Sequence, residues 1–231
     1  MRLLRILLCL GALHHIGCAS DGFHRGALWE QVGVDKPVYD DEEIAKTFQK
    51  KANLLNPFKL AVFFQDPVQN TSSNRNWRWK EEDKKQIIKT LEEMKQSKLI
   101  SQVFPIVGLT VKNNDLNSIR MAAARHGADA VLVLNGDADI DRGFNNLAWS
   151  YLLVAPAFFV EGSEADVLFQ ASATMWDVRN EYLYLTTQAE GTYSYKYKAA
   201  FSKTDKDLIS KAKNKSLVKL GPSIAKMVGG K

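Results

Sequence analysis

Apolar and polar positions alternate along this chain with two periods, and the period changes near the middle. Ile44, Ala45, Phe48 and Ala52 recur at helical spacing after Asp40 and Asp41, so a helix is predicted there, ended by Asn56-Pro57. Phe58-Lys-Leu-Ala-Val-Phe-Phe-Gln is short and β-rich and predicts a strand over 58–65. A polar stretch from Asp66 to Lys80 follows. Ile87, Ile88, Leu91 and Met94 then mark one face of a helix over 81–97. Residues 102–107 predict a second strand, with Pro105 placing it at an edge or bulge. Asp115 opens a helix through Ile119, Met121, Ala122 and Ala123 that Gly127 closes, and His126 faces its last turn. Ala130-Val-Leu-Val-Leu then reads as a buried strand over 130–135.

From here the helices stop. The acidic alternation Asp137-Ala-Asp139-Ile-Asp141 leads to an uncharged apolar block, 147–160. Strand patterns follow over 166–178 and 182–192, joined by a tight turn at Asn180-Glu181. A last helix begins at Thr204, where Thr204 with Asp207 resembles a capping box. It carries Leu208, Ile209, Ala212, Leu217 and Leu220 inward, and Gly221-Pro222 breaks it before a last turn at 224–228. Helical crossovers make the first strands parallel neighbours, and short connections make the last ones antiparallel. The expected fold is therefore α/β (α+β): one mixed sheet with helices packed on it, parallel in its first half and antiparallel in its second.

The N-terminus changes the picture. Arg2 and Arg5 precede a short apolar run, Ile6 to Leu13, far below the roughly 18 residues of a spanning helix. It ends in His15-Ile16-Gly17-Cys18, which resembles a bacterial lipobox. That resemblance implies a signal peptide over 1–17, cleavage before Cys18 and acylation of its thiol. An ordinary secretory signal and an uncleaved anchor are the alternatives. Ala19 follows Cys18 where the inner-membrane retention signal has Asp, which points to the outer membrane. Residues 18–39, punctuated by Gly22, Gly26 and Gly33, read as a tether, and 40–231 as a single periplasmic domain.

Lipidation also removes chemistry. Cys9 would leave with the signal and Cys18 become the anchor, and only His24 and His126 would stay in the mature chain. A disulfide, a thiol nucleophile, a Ser-His-Asp triad and a multi-histidine zinc site are therefore not expected. The formal charge of +5 falls to +3 without Arg2 and Arg5, and the lysines share their helices with acids. No nucleic-acid partner and no cofactor is expected.

Two resemblances complete the reading. Leu60-Ala-Val-Phe after a lipidated tether, with Gly127-Ala-Asp-Ala-Val-Leu-Val at a helix end, is similar to the periplasmic α/β domain of curli-secretion and penicillin-binding-protein-activator lipoproteins. The segment Trp149-Ser-Tyr-Leu-Leu-Val-Ala-Pro-Ala-Phe-Phe-Val, Leu168 to Ala173, and Trp176-Asp-Val-Arg-Asn-Glu-Tyr-Leu resemble the predicted family of rhombotarget lipoproteins. Members of that family end in a Gly-Gly sorting signal, an apolar helix and basic residues. This sequence ends at Gly229-Gly230-Lys231, so rhomboid-type processing is not expected.

Four groups are candidate sites. Asp137, Asp139 and Asp141 share one strand face and are the metal candidate, although Arg142 and Ala148 break the calcium-loop pattern. Arg75, Trp77, Arg78 and Trp79 could contact a sugar or an anionic partner, or a Trp could staple the next helix to the core. Trp149, Tyr151, Phe158 and Phe159 make the apolar block either core, or a contact with a partner, a second copy or lipid. Glu161, Glu164, Asp166, Asp177 and Glu190 supply carboxylates whose spacing demands no acid/base pair. The expected function is a non-enzymatic envelope lipoprotein at the outer membrane, a binding or assembly module. The alternative is a subunit of an oligomeric secretion or transport assembly that uses 147–160 as a contact or membrane-facing element.

Overall fold

The computed structural model describes residues 23, 40–67, 77–148, 150, 159–198 and 200–229. The predicted signal peptide, nearly all of the predicted tether with Cys18 and His24, Arg75, and Gly230-Lys231 lie outside the described residues. The chain forms α1 (Asp41–Phe48), β1 (Phe58–Phe64), α2 (Glu81–Glu93), β2 (Ile100–Pro105), α3 (Leu116–Arg125), β3 (Ala130–Phe144), β4 (Ser163–Asp177), β5 (Leu183–Tyr197) and α4 (Asp205–Val228). A short 3-10 turn, Met94–Ser97, extends α2.

The five strands make one mixed sheet in the order β2-β1-β3-β4-β5. β1 runs parallel to β2 and β3, whereas β3, β4 and β5 form an antiparallel meander. α2 and α3 are the two crossovers, and each covers a different face. Leu60, Val62, Leu132 and Leu134 point to the face under α2 and α4, where Ile87, Leu91, Leu208, Leu217 and Leu220 join them. Ala61, Phe63, Val131 and Val133 point to the other face, against Ile119, Ala122 and Ala123 of α3. Strand alternation thus sorts one apolar run into two cores, and β1 is buried at six of seven positions. Pro105 closes β2 on the sheet edge, where no ladder needs its missing N–H.

The caps follow their chemistry. Asp115 accepts from the Ser118 N–H at 2.8 Å at the start of α3. Gly127 takes a positive φ of 69° after that helix, and its N–H bonds back to Ala124. At α4 the expected box is not made: the Thr204 hydroxyl donates to the Asp207 side chain and accepts no backbone N–H.

Three expectations are corrected. α1 stops at Phe48, well before Asn56-Pro57, and buries none of its residues. α4 does not break at Gly221-Pro222 but runs through to Val228. Leu220, Gly221 and Ile224 are buried against the rest of the molecule, and a Cβ on Gly221 would stand 3.2 Å from Thr90 Oγ1 of α2. Packing on that side holds the helix together where Pro222 removes one bond, and exposed Val218, four residues earlier, lies on the solvent side. Finally, β3, β4 and β5 are 15 residues each, longer than their apolar cores.

Candidate contact surface at the far end of the sheet

That extra length builds an arm. β1 ends at Phe64 opposite Leu134, but β3 continues to Phe144. From Asn135 on, β3 pairs with β4 alone, and β4 with β5, so three strands extend beyond the parallel half by about 30 Å.

α4 seats on the arm through small residues. A Cβ on Gly191 would come within 2.1 Å of Ala212 O and 2.4 Å of Ser216 N. The Ser216 hydroxyl donates to Ala189 O at 2.7 Å and accepts from the Ala171 N–H at 3.2 Å. Gly136 is crowded instead by side chains, with Phe169 and Trp77 ring atoms 2.6 and 2.9 Å from where a Cβ would stand.

Both long edges of the arm are capped by side chains, with opposite charge. On β3, Asp137 and Asp139 turn back to accept the N–H of Ala138 and Ile140, at 2.8 and 3.1 Å. On β5, Lys215 and Lys219 of α4 donate to Thr192 O and Glu190 O, at 3.0 and 2.8 Å. Lys211 reaches the Tyr193 hydroxyl and lies over its ring. Unpaired strand edges invite other strands, and charged caps blunt them. The acidic alternation therefore has a backbone role. Among the described residues no group of three His, Cys, Asp or Glu is placed to hold a metal ion. Alternate strand residues are spaced by about 6.7 Å, too far for three carboxylates to converge without bending the strand.

The arm ends in apolar side chains facing water. Phe144 is 65% exposed, Leu147 53% and Phe159 76%. Asn145 ties the two ends of the connection together: its N–H donates to Gly162 O and its amide to Glu161 O. An open cleft there is lined by Asn145, Asn146, Leu147, Glu161 and Lys196. Arg142, ion-paired with Asp205 and bonded to the Tyr197 hydroxyl, flanks it. Trp149, Tyr151 and Phe158 lie outside the described residues; Phe159 is the one member of the predicted contact that is placed.

Trp77 and Trp79 are elsewhere. They are 5% and 6% exposed and pack edge-on with each other and with Phe169, at 5.2 and 4.9 Å between ring centres for the Trp77 pairs. The Trp79 indole N–H donates to Gln65 O. Burial removes both from any contact surface and places them in the core on Phe169. Beneath them lies Lys213, 2% exposed, ion-paired with Asp83 and donating to Arg78 O at 2.7 Å. Burial pulls its pKa down against the pull of Asp83. Nothing in the pattern Lys-Ala-Lys-Asn-Lys marks Lys213 as the buried one, except its place on the inward stripe with Ile209, Ala212 and Ser216.

The carboxylates are dispersed. Asp177 is fully buried and holds the β4–β5 turn, accepting from the N–H of Arg179 and Asn180 and from the Tyr184 hydroxyl at 2.6 Å. Burial and that bond push Tyr184 up to about 12. Burial pushes Asp129 up, but bonds from the Lys59 N–H and Arg179 outweigh it and leave its pKa lowered. Glu181, at φ 61° in the turn, pairs with Arg120 and Lys50. Glu161 is exposed at the arm tip, and Glu164, Asp166 and Glu190 lie along the strands of the arm. His126 caps α3 with its ring 5.4 Å from Phe104. Among the described residues no helix is long and apolar enough to cross a membrane.

No protein-family model and no curated protein matches the chain. Solved structures resemble it over most of its length. The hypothetical protein CT253 from Chlamydia trachomatis is 10% identical, with 75% of this chain and 99% of that one covered and a TM-score of 0.39. A minor lipoprotein from Acinetobacter baumannii is 13% identical, with 77% and 95% covered and a TM-score of 0.36. Lipoprotein GNA1162 from Neisseria meningitidis is 13% identical, with 74% and 99% covered and a TM-score of 0.34. Likeness this low carries no residue role or activity from those proteins to this one.

Proposed function

We propose that this chain is a non-enzymatic lipoprotein of the bacterial cell envelope, anchored through Cys18 on the periplasmic side of the outer membrane, and that it acts as a binding or assembly module through the tip of its arm. The rhombotarget resemblance of 149–160 falls in the stretch of sequence between β3 and β4. One observation carries the contact reading: both described ends of the apolar connection, with Phe144 beside them, face water rather than the core. Isolated exposed apolar residues are ordinary, but three large ones grouped on a projecting hairpin favour a partner surface. The titratable groups support the non-enzymatic part, since Asp129 and Tyr184 hold the turn end together and Lys213 pairs with Asp83 between packed helices.

The test is the pair Phe144→Glu with Phe159→Glu, made in the lipidated protein in its own envelope. Crosslinking should lose the partner that wild type captures, while circular dichroism and melting temperature stay near wild type. Loss of the cooperative melt would put the tip in the core and remove the contact reading.

A second reading, a subunit of an oligomeric secretion or transport assembly, is favoured by the two edges. Asp137, Asp139 and Asp141 line one, and Lys211, Lys215 and Lys219 the other, so copies set side by side would meet with complementary charge. A monomer in mild detergent argues against it.

A further inference from the structure

The far end from the tip has its own unexplained surface. α1 buries nothing: Ile44 is 46% exposed, Phe48 85%, and Leu55 just beyond the helix 81%. Ile44 and Phe48 stand one turn apart and so share a face. The segment is nevertheless fixed to the domain. Lys50 pairs with Glu181 at 3.0 Å, the Asn180 amide donates to Lys51 O at 2.8 Å, and the Asn53 N–H donates to the Tyr184 hydroxyl at 3.1 Å. All three partners lie at the β4–β5 turn. The opposite ends of β4 and β5 lie at the tip, and a 15-residue strand spans about 45–50 Å. The chain therefore enters the domain at one pole and presents its contact surface at the other.

The length of the tether says what lies near the entry pole. Twenty-one residues separate Cys18 from Asp40, and a random-coil linker of that length would span about 25 Å on average. An acyl group on Cys18 would hold α1 close to lipid and leave the tip beyond its mean reach. We propose that the face of α1 carrying Ile44 and Phe48 rests in the headgroup boundary of the lipid bilayer as a second membrane contact. This rests on the reading of Cys18 as the lipid anchor. Lys51 is exposed after the helix, where a long lysine reaches headgroups while its stem stays apolar, whereas Lys46 pairs with Glu42 and Lys50 with Glu181. The acids, Asp41 to Glu43, are confined to the first turn. Two apolar side chains bind lipid weakly alone, but the anchor makes their insertion intramolecular, where weak contacts suffice. The domain then stands on its turn end, with the arm pointing away from the membrane.

The lipidated chain has no free thiol, so Ala45→Cys gives a single attachment point for a polarity-sensitive dye. The labelled lipoprotein is reconstituted into vesicles of phosphatidylethanolamine and phosphatidylglycerol and floated. The expected result is flotation, blue-shifted emission and quenching by brominated acyl chains, with shift and quenching lost when Ile44→Ser and Phe48→Ser are added. Flotation with the dye still in water overturns the α1 contact and leaves the anchor intact. A shift that survives the two serines overturns it as well, since the tether alone would then account for the shift. Failure to float overturns the anchor, and the α1 contact with it.

Discussion

Tyr184 shows how far single residues at the turn end depend on burial. Its hydroxyl donates to Asp177 and accepts from the Asn53 N–H, so it joins the β4–β5 turn to the segment after α1. Its pKa is raised to about 12 from the ordinary value of 10.0, first by burial and then by Asp177. A raised tyrosine keeps its proton longer folded than unfolded. Its contribution is complete below pH 10 and is lost as pH rises toward 12. Tyr184→Phe should therefore flatten the fall in stability across that alkaline window, read from urea midpoints measured at steps of pH. An unchanged slope would remove Tyr184 as the source. The sequence did not disclose this role, because Tyr182-Leu-Tyr-Leu reads as plain strand alternation, and the insertion that re-aims Tyr184 comes from a register shift beside Trp176. Trp77 and Trp79 were opaque for a similar reason: their neighbours Arg75, Arg78 and Lys80 are charged, and a polar loop conceals residues that turn inward.

At the scale of elements, periodicity reports an apolar face but not what covers it. It found β1, β2, α2 and α3 because each is an apolar run or stripe bounded by a cap, a glycine or a proline. It overreached at α1, whose stripe faces water, and stopped short on β3, β4 and β5, whose outer halves alternate with polar residues that cap edges or face solvent. It broke α4 at Pro222, where local propensity of about 3 kcal/mol against proline is outweighed by the buried flank of Leu220, Gly221 and Ile224. The close approach of β5 and α4 was likewise unmarked: Gly191 looks like any glycine in a strand. Its missing Cβ lets β5 meet the backbone of α4 at Ala212 and Ser216. Gly191→Val should cost about 3 kcal/mol or more, because backbone on both sides must separate. A urea midpoint within error of wild type would mean that α4 does not lie on β5 as described.

For the whole molecule, the decisive division runs along a single strand. Leu132 and Phe144 are both on β3 and, being an even number of residues apart, on the same face. Leu132 is fully buried between the parallel half and α4, while Phe144 stands 65% exposed at the tip. The same carboxylate introduced at each place meets opposite surroundings. At Leu132 it would be a charge without a partner, costing several kcal/mol against a total stability of about 5–15 kcal/mol. At Phe144 it would be solvated, and the effect should stay within about 0.5 kcal/mol. Leu132→Asp should therefore abolish the cooperative thermal transition, and Phe144→Asp should leave it intact. A cooperative melt in Leu132→Asp would remove β3 from the centre of the sheet. Loss of the melt in both would make the arm part of one continuous core, and its tip could not serve as a surface held out from the membrane for a partner.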